Sequence, residues 1–281
     1  MKKSKLVAIL SATTVAASLV LVPAATAATK TKACLALDTG GVDDKSFNAA
    51  SWAGAQKIAK ANKNVTVSFL PAASGAEYAP NIKKFVDQKC NVIIGVGFAI
   101  AGAIISSAKA NPKIKYAIVD DSGLEPNADY TAFTAIANVK GLTFRTQESS
   151  FLAGYAAAAF STKGVVATYG GAPYPTVTAF MDGFAQGVFY FNQVKNKGVR
   201  VLGWNRDTKN GEFVGDFANT SKALQISKNF EQAGADVIFP VAGGLGGATA
   251  QNSMDGGKSV TIWVDTDGFV SASKYRSVLL T

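Results

Sequence analysis

The sequence predicts an α/β fold in which two doubly wound lobes, each built on a parallel sheet, face each other across a central cleft. Short apolar runs rich in β-branched residues alternate with longer amphipathic runs, which is the pattern of parallel strands joined by helices. This alternation occurs in two consecutive series along the chain. About 250 residues arranged in two such series favour two lobes over one continuous sheet.

The first series predicts an N-terminal lobe over residues 28–140. Each strand-like run is short and apolar, and each helix-like run is amphipathic, as expected for helices that cover a sheet. The strand-like runs are Cys34–Asp38, Val65–Leu70, Val92–Val96, Tyr116–Asp120 and Ala132–Ala137. The helix-like runs are Lys45–Ala61, Ala79–Asp87 and Ala101–Ala110.

The second series predicts another lobe over residues 141–265, which opens with a helical stretch from Gln147 to Phe160. Residues 266–281 are expected to begin a crossover back to the first lobe. The strand-like runs of this lobe are Gly164–Tyr169, Val199–Trp204, Val237–Val241 and Val260–Asp265. Its further helix-like runs are Val177–Asn192, Thr220–Ala233 and Ala248–Met254.

Residues 1–27 have the three-part plan of a secretory signal peptide. A basic start precedes the apolar run Leu6–Pro23, and small residues follow at Ala25 and Ala27. A transmembrane anchor is the alternative, but serine and threonine interrupt the run, and it ends in a cleavage site. Loss of the three lysines of this segment would lower the formal net charge from +9 to +6. We expect a protein of the periplasm or the extracellular cell envelope, with no later transmembrane segment.

The chain has two cysteines, Cys34 and Cys90, and an exported protein can pair them. Cys34 lies too far beyond Ala27 to carry a lipid anchor. It opens the first apolar run, whereas Cys90 opens the run Asn91–Gly97. If these runs are neighbouring parallel strands, both sulfur atoms lie at the same edge of the sheet. We favour a disulfide over two buried free thiols.

The positive charge is spread along the chain without a run of five or more basic residues. Basic residues also do not interleave with aromatic residues in one block. Nucleic-acid binding is therefore not indicated. We expect a monomer.

Ligands of open parallel sheets bind beyond the carboxyl ends of the strands, so residues just after each strand are informative. Asp38 ends the first predicted strand, and one aspartate of the pair Asp43–Asp44 can cap the next helix. This cap places Ser46, Phe47 and Asn48 in the first helical turn, facing the cleft. Capping and core packing are the simpler explanation, but they account less well for an aromatic residue followed by an amide here.

Two further strands also end in aspartate, Asp120 in the first lobe and Asp265 in the second. A single aspartate at such a position is usually a turn residue. Several carboxylates that converge on one cleft suit the recognition of hydroxyl groups. Gly243 and Gly244 would let backbone N–H groups approach a ligand, although a plain strand-to-helix turn would also use them. Trp204 could stack on a ligand ring or be a half-buried core residue.

The chain contains no histidine, which removes the commonest general base, the Ser/His/Asp triad and most zinc sites. The segment Asp38–Asp44 is similar to the calcium-binding motif of nucleoside hydrolases. Gly40 stands where that motif has a further aspartate, and the aspartate pair lies one residue too early. We therefore expect no metal, no cofactor and no catalysis.

Taken together, these motifs resemble the basic membrane protein family, also called purine nucleoside receptor A-like binding proteins. The resemblance is collinear over nearly the whole mature chain. It rests on Asp38–Asn48, Gly95–Phe98, Glu148–Gly154, Gly170–Gly171, Met181–Phe184, Gly234–Phe239, Ala242–Gly244 and Asp265–Gly268.

The resemblance implies a type I periplasmic-binding-protein fold and import by an ABC transporter. Nucleoside binders of the family stack the purine on aromatic rings and hold the ribose with carboxylates. The matching positions are Asp38, Phe47, Asn48, Asp120, Gly243, Gly244 and Asp265. Family members continue well past the position of Thr281, so the resemblance also implies that the C-terminal part of the fold is missing from this chain.

We therefore expect an extracytoplasmic solute-binding protein that delivers a small polar ligand, best matched by a purine nucleoside, to an ABC permease complex. A binder of another small ligand, such as a sugar or a signalling molecule, is the main alternative. An exported nucleoside hydrolase and a surface protein that works without a transporter stay open as further alternatives.

Overall fold

A computed structural model describes residues 30–281, so the signal peptide predicted for residues 1–27 lies outside the described residues. Within residues 30–281 we find no helix that combines the length and the apolarity needed to cross a membrane.

The first lobe contains a five-stranded parallel sheet with the strand order β2-β1-β3-β4-β7. The elements are β1 (Thr31–Ala36), α1 (Phe47–Ala61), β2 (Val65–Leu70), α2 (Tyr78–Asp87), β3 (Val92–Val96), α3 (Ala101–Ala110), β4 (Lys115–Val119), β5 (Leu124–Pro126), β6 (Phe133–Ala135) and β7 (Val139–Leu142). Side chains of β1 alternate between the two faces: Leu35 packs in the cluster with α1, and Cys34 and Ala36 pack in the cluster with α2 and α3. Helices thus cover both faces of this sheet.

The prediction that Ala132–Ala137 joins the parallel sheet is wrong. Its central residues form β6, which is exposed and pairs antiparallel with β5 in a separate ribbon. The fifth parallel strand is β7, which pairs with β4. Just before β7, the buried Asn138 amide donates to the carbonyls of Ala108 at 3.0 Å and Ile114 at 2.9 Å, and these bonds hold the strand against the first lobe.

The second lobe contains a four-stranded parallel sheet with the order β13-β12-β8-β9. Its elements are α4 (Thr146–Phe160), β8 (Val165–Gly170), α5 (Pro175–Lys195), β9 (Arg200–Leu202), β10 (Trp204–Asn205), β11 (Asn210–Gly211), α6 (Thr220–Gln232), β12 (Val237–Val241), α7 (Gly246–Met254), β13 (Val260–Thr261) and α8 (Gly268–Ser271). Every residue of the central strands β8 and β12 is buried, as expected for a parallel sheet covered on both faces.

The two sheets place the lobe boundary between β7 and α4, because Leu142 still belongs to the first sheet. Residues 266–281, expected to begin a crossover, pack on the second lobe. Leu279 is buried in a cluster with Ala250 and Trp263, and the N–H of Leu280 donates to the carbonyl of Thr261 at 2.9 Å. This apolar contact keeps the segment with the lobe that precedes it.

The structure confirms the disulfide between Cys34 and Cys90, whose Cα atoms lie 6.2 Å apart. Cys34 lies within β1, and Cys90 lies just before β3. β1 and β3 are neighbours in the sheet, with Cys34 in register with Ile93. The cross-link therefore fastens the two strands whose carboxyl ends reach the cleft.

Candidate ligand-binding cleft

In a doubly wound sheet, the point where the direction of winding changes is the expected position of a ligand site. In the first sheet this point lies between β1 and β3, and in the second it lies between β8 and β12. The residues after these strands face one another across a shared pocket. Its lining comprises Asp38, Thr39, Gly40, Asp44, Phe47, Asn48, Gly97, Phe98, Asp120, Tyr174, Thr176, Val177, Phe180, Phe217, Val241, Gly243, Gly244, Val264 and Asp265.

Asp44 organises the turn from β1 into α1. Its carboxylate accepts hydrogen bonds from the backbone N–H groups of Ser46 at 2.9 Å, Asn48 at 2.8 Å and Ala49 at 2.9 Å. These bonds satisfy donors that the first helical turn leaves without partners. The N-cap position of α1 is Ser46, but the Asp44 side chain caps the first turn, and it fixes Phe47 and Asn48 at the pocket.

Asn48 is buried, with 2% of its surface exposed, and it carries an unused acceptor. Its Nδ2 donates to the carbonyl of Thr39 at 3.3 Å, whereas no described residue donates to its buried Oδ1. Leaving a buried acceptor without a partner costs about 1–3 kcal/mol. Because Asn48 lines the pocket, a ligand donor would satisfy this atom.

Asp120 and Asp265 follow strands in opposite lobes, and both adopt left-handed backbone conformations with φ of 61° and 68°. Aspartate tolerates this conformation better than most residues, and such positions concentrate at functional sites. The turns bring both carboxylates into the same pocket. We find no hydrogen bond to the Asp120 carboxylate within residues 30–281.

Desolvation raises the pKa of Asp120 to about 6. Desolvation also raises the pKa of Asp265 to about 6. The hydrogen bond from Ser46 acts in the opposite direction and lowers this pKa, whereas the charge of Asp120 adds a smaller increase. Asp265 is nevertheless exposed to the water of the cleft. Water in the cleft weakens this desolvation.

Ser46 does not line the pocket, which corrects the prediction that it faces the ligand. It is fully buried, and its hydroxyl donates to Asp265 Oδ2 at 2.6 Å. The carbonyl oxygen of Val264 lies 3.2 Å from the same hydroxyl and is a second, longer acceptor. Ser46 belongs to the first lobe and Asp265 to the second. The hydroxyl therefore bridges the lobes, and no other group of residues 30–281 donates to the Asp265 carboxylate, so Oδ1 accepts no hydrogen bond from them.

Aromatic rings from both lobes enter the pocket. Phe98 follows β3, and its ring lies 5.3 Å from that of Tyr174, which follows β8 in the other lobe. Tyr174 in turn stacks on Phe217 at 6.1 Å. Phe47 lines the pocket from α1 and also packs on the core cluster of Leu35. A flat ligand ring entering between the lobes would meet these faces.

The remaining predicted positions differ in their placement. Gly243 and Gly244 line the pocket after β12, as expected. Trp204 does not, because it is buried in the core of the second lobe with 6% of its surface exposed. Gly203, with φ of 80°, turns the chain after β9, and the indole N–H donates to Asp182 of α5 at 3.1 Å. Trp204 is therefore a core residue.

The sequence reasoning missed Phe98, Tyr174 and Phe217. The first two follow parallel strands, so the strand-end rule could have found them. Phe217 lies in the loop before α6, and only the folded chain brings it to Tyr174. Among residues 30–281 the site combines carboxylates, an amide oxygen without a hydrogen-bond donor and aromatic faces, which suits a ligand with hydroxyl donors and a flat ring.

The family assignment rests on the match along the chain. Residues 31–280 match the family described as ABC transporter substrate-binding protein, PnrA-like. The chain belongs to this family.

Two curated proteins are similar to this chain over most of its length. The CD4+ T-cell-stimulating antigen of Listeria monocytogenes is 32% identical over 234 residues, covering 81% of this chain and 59% of that protein. The ABC transporter nucleoside-binding protein BmpA of Lactococcus lactis is 29% identical over 221 residues, covering 78% of this chain and 57% of that protein. This chain thus spans less than two thirds of the length of these curated relatives.

A solved solute-binding protein of an ABC transporter system from Aeropyrum pernix has the same fold. The two structures agree with a TM-score of 0.68 at 24% identity, over 83% of this chain and 61% of that chain. Together with the two parallel sheets, this likeness confirms the type I periplasmic-binding-protein fold expected from the sequence.

Proposed function

We propose that this protein captures a nucleoside, best matched by a purine nucleoside, in the cleft between its lobes and delivers it to an ABC importer. The observation that carries the proposal is the meeting of Asp120 and Asp265 from opposite lobes in a pocket that also contains aromatic rings. A ribose offers a pair of hydroxyl donors to carboxylates, and a base offers a flat face to aromatic rings. The PnrA-like family membership supports the same class of ligand.

Each predicted ligand residue that lines the pocket has a role in this proposal, whereas Ser46 and Trp204 lie outside the lining and have none. Phe47 contributes a ring face, and Asn48 Oδ1 accepts a hydrogen bond from the ligand. Asp38, Asp120 and Asp265 accept from hydroxyl or N–H groups. The backbone at Gly243 and Gly244 comes close to the ligand because no side chain intervenes.

The proposed context is the extracytoplasmic side of a cell envelope, where the closed protein meets the permease. The family consists of transporter substrate-binding proteins. We propose accordingly that the chain binds its ligand without chemical change and acts as a monomer.

Calorimetric titration of the mature protein with adenosine, inosine, guanosine, cytidine and a panel of sugars tests the ligand class. We expect saturable binding of at least one purine nucleoside and weaker binding of cytidine and of the sugars. If a sugar binds and none of the nucleosides does, the ligand is a sugar and the nucleoside proposal is wrong. Release of free base from a bound nucleoside would indicate a hydrolase.

Phe47→Ala is expected to weaken nucleoside binding by about 1–3 kcal/mol, the range for stacking of a base on an aromatic ring. Phe47→Tyr should be far milder, because the ring face survives. Dissociation constants from titration give the comparison.

The matched control for Phe47 is Trp52→Ala. Trp52 also lies on α1 and packs at 4.8 Å on Phe69, but it does not line the pocket. Its replacement should lower stability and leave the affinity of the folded protein unchanged. Wild-type affinity in Phe47→Ala would show that Phe47 serves only the core.

A further inference from the structure

The two carboxylate oxygens of Asp38 have different surroundings. Oδ1 accepts from the N–H of Thr39 at 2.7 Å, from the Thr39 hydroxyl at 3.4 Å and from the Tyr78 hydroxyl. Among residues 30–281 no group donates to Oδ2. A Cβ built on Gly97 would lie 2.5 Å from Oδ2, so this oxygen lies over the glycine backbone at the pocket. One oxygen is held by protein, and the other is open to a ligand donor.

Tyr78 reaches Asp38 from behind the pocket. It is the first residue of α2 and is buried in the core of the first lobe, with 8% of its surface exposed. It is absent from the pocket lining, so it can influence a ligand only through Asp38.

The loop from β2 to α2 holds Tyr78 in place at two points. The N–H of Ala73 donates to Glu77 at 2.9 Å, and the buried Asn81 amide donates to the carbonyl of Pro71 at 2.9 Å. These bonds fix both ends of the loop, so the phenol ring has little freedom to leave Asp38.

The direction of the Tyr78–Asp38 hydrogen bond is also fixed. Burial, followed by the bond to Asp38, raises the pKa of Tyr78, so the phenol keeps its proton and donates it. Burial raises the pKa of Asp38, and the Tyr78 bond is the largest influence in the opposite direction. Tyr174 faces the same carboxylate from the second lobe, and burial followed by the Asp38 charge raises its pKa as well. Both tyrosines are therefore neutral at physiological pH.

We propose that Tyr78 is a positioning residue whose hydroxyl holds Asp38 Oδ1 and thereby presents Oδ2 to an N–H or O–H donor of the ligand. The identity of that ligand rests on the nucleoside function proposed above. The hydrogen bond between Tyr78 and Asp38 is independent of that function, because it depends only on contacts within the first lobe.

The test compares Tyr78→Phe with Tyr116→Phe and the wild type. Tyr116 is another buried tyrosine of the first lobe, but its hydroxyl bonds to Ser107 at 2.9 Å, and it lies outside the pocket lining. Titration with inosine at neutral pH should show a dissociation constant about tenfold higher for Tyr78→Phe, the effect of losing one hydrogen bond to a charged group. Tyr116→Phe should bind as the wild type does.

The dependence of binding on pH separates positioning from simple loss of packing. Without the Tyr78 bond the Asp38 pKa should rise, so inosine affinity should begin to fall at a higher pH in Tyr78→Phe than in the other two proteins. Titration of Asp120 and Asp265 should change the inosine affinity of all three proteins in the same way. A wild-type dissociation constant and pH profile in Tyr78→Phe would overturn the proposal, as would equal losses in both variants.

A measurement without ligand keeps this proposal separate from the nucleoside function. Carboxyl ¹³C NMR titration of the ligand-free proteins reports the pKa of Asp38 directly. A higher Asp38 pKa in Tyr78→Phe, but not in Tyr116→Phe, would support the role of the Tyr78 hydroxyl in holding the Asp38 carboxylate. This result would stand even if no nucleoside bound the wild type, and in that case only the proposed function would fail. An unchanged Asp38 pKa in Tyr78→Phe would refute the positioning role.

Discussion

The double variant Cys34→Ala/Cys90→Ala is expected to lose about 4 kcal/mol of unfolding free energy, because the disulfide closes a long loop in the unfolded chain. The two cysteines lie 56 residues apart in sequence, and their loop encloses β1, α1, β2 and α2. Both side chains are buried, with 0% and 2% of their surface exposed, so alanine avoids placing a new hydroxyl in the core. Denaturant unfolding followed by circular dichroism measures the loss.

Chemical reduction of the wild type provides the control for the disulfide. A reductant should destabilise the wild type to a similar extent and leave the double variant unchanged. Ligand affinity of the folded variant should persist, because Cys90 precedes β3 whereas the pocket residue Phe98 follows it. Equal stability of the oxidised and reduced wild type would contradict the prediction.

The sequence was most informative where a local pattern has only one structural solution. The central strands are apolar runs bounded by helices, so their residues could be placed before the fold was known. Asp38, Asp120 and Asp265 were then identified by one geometric rule, since the carboxyl ends of parallel strands share an edge. The same rule could have found Phe98 and Tyr174.

The features of the structure that the sequence did not predict depend on contacts between segments that are distant along the chain. Ser46 lies in the predicted helical turn, but its partner Asp265 is 219 residues away in the other lobe. β7 is short and contains lysine and glycine, so its pairing with β4 is determined by neighbours and not by its own pattern. The burial of Trp204 follows from a sharp turn at Gly203 and a bond to α5, neither of which the strand-like run indicates.

Asp265→Asn is expected to cost a ribonucleoside about 1.5–3 kcal/mol of binding free energy, the contribution of a hydrogen bond to a charged group. Asp265 Oδ2 is already bound by Ser46 at 2.6 Å, so Oδ1 is the oxygen available to a ligand hydroxyl. Asparagine can keep the bond to Ser46 with its carbonyl oxygen and then presents an N–H group where the carboxylate offered an acceptor. The shape and the contact between the lobes are therefore retained while ligand recognition changes.

The measurement compares a ribonucleoside with its 2′,3′-dideoxy analogue by titration into both proteins. The dideoxy compound has no hydroxyl pair to donate, so its affinity should change little in Asp265→Asn. Asp267→Asn is the matched control, because Asp267 is a neighbouring carboxylate that caps α8 through the N–H of Phe269 at 2.9 Å and lies outside the pocket lining. Equal weakening of both ligands by Asp265→Asn would show that this carboxylate does not recognise the hydroxyl pair.

The pH dependence of the same titrations gives a second, independent result. Because the pKa values of Asp120 and Asp265 are raised to about 6, both groups are charged acceptors above that pH and become protonated as the pH falls through it. Ribonucleoside affinity should therefore decline between pH 7 and pH 5, with the dideoxy analogue affected less. Asp265→Asn should flatten the decline, since one of the titrating acceptors Asp38, Asp120 and Asp265 is gone. A variant that retained the full decline would assign the titration to the other pocket carboxylates, Asp38 and Asp120, and remove Asp265 from ribose recognition.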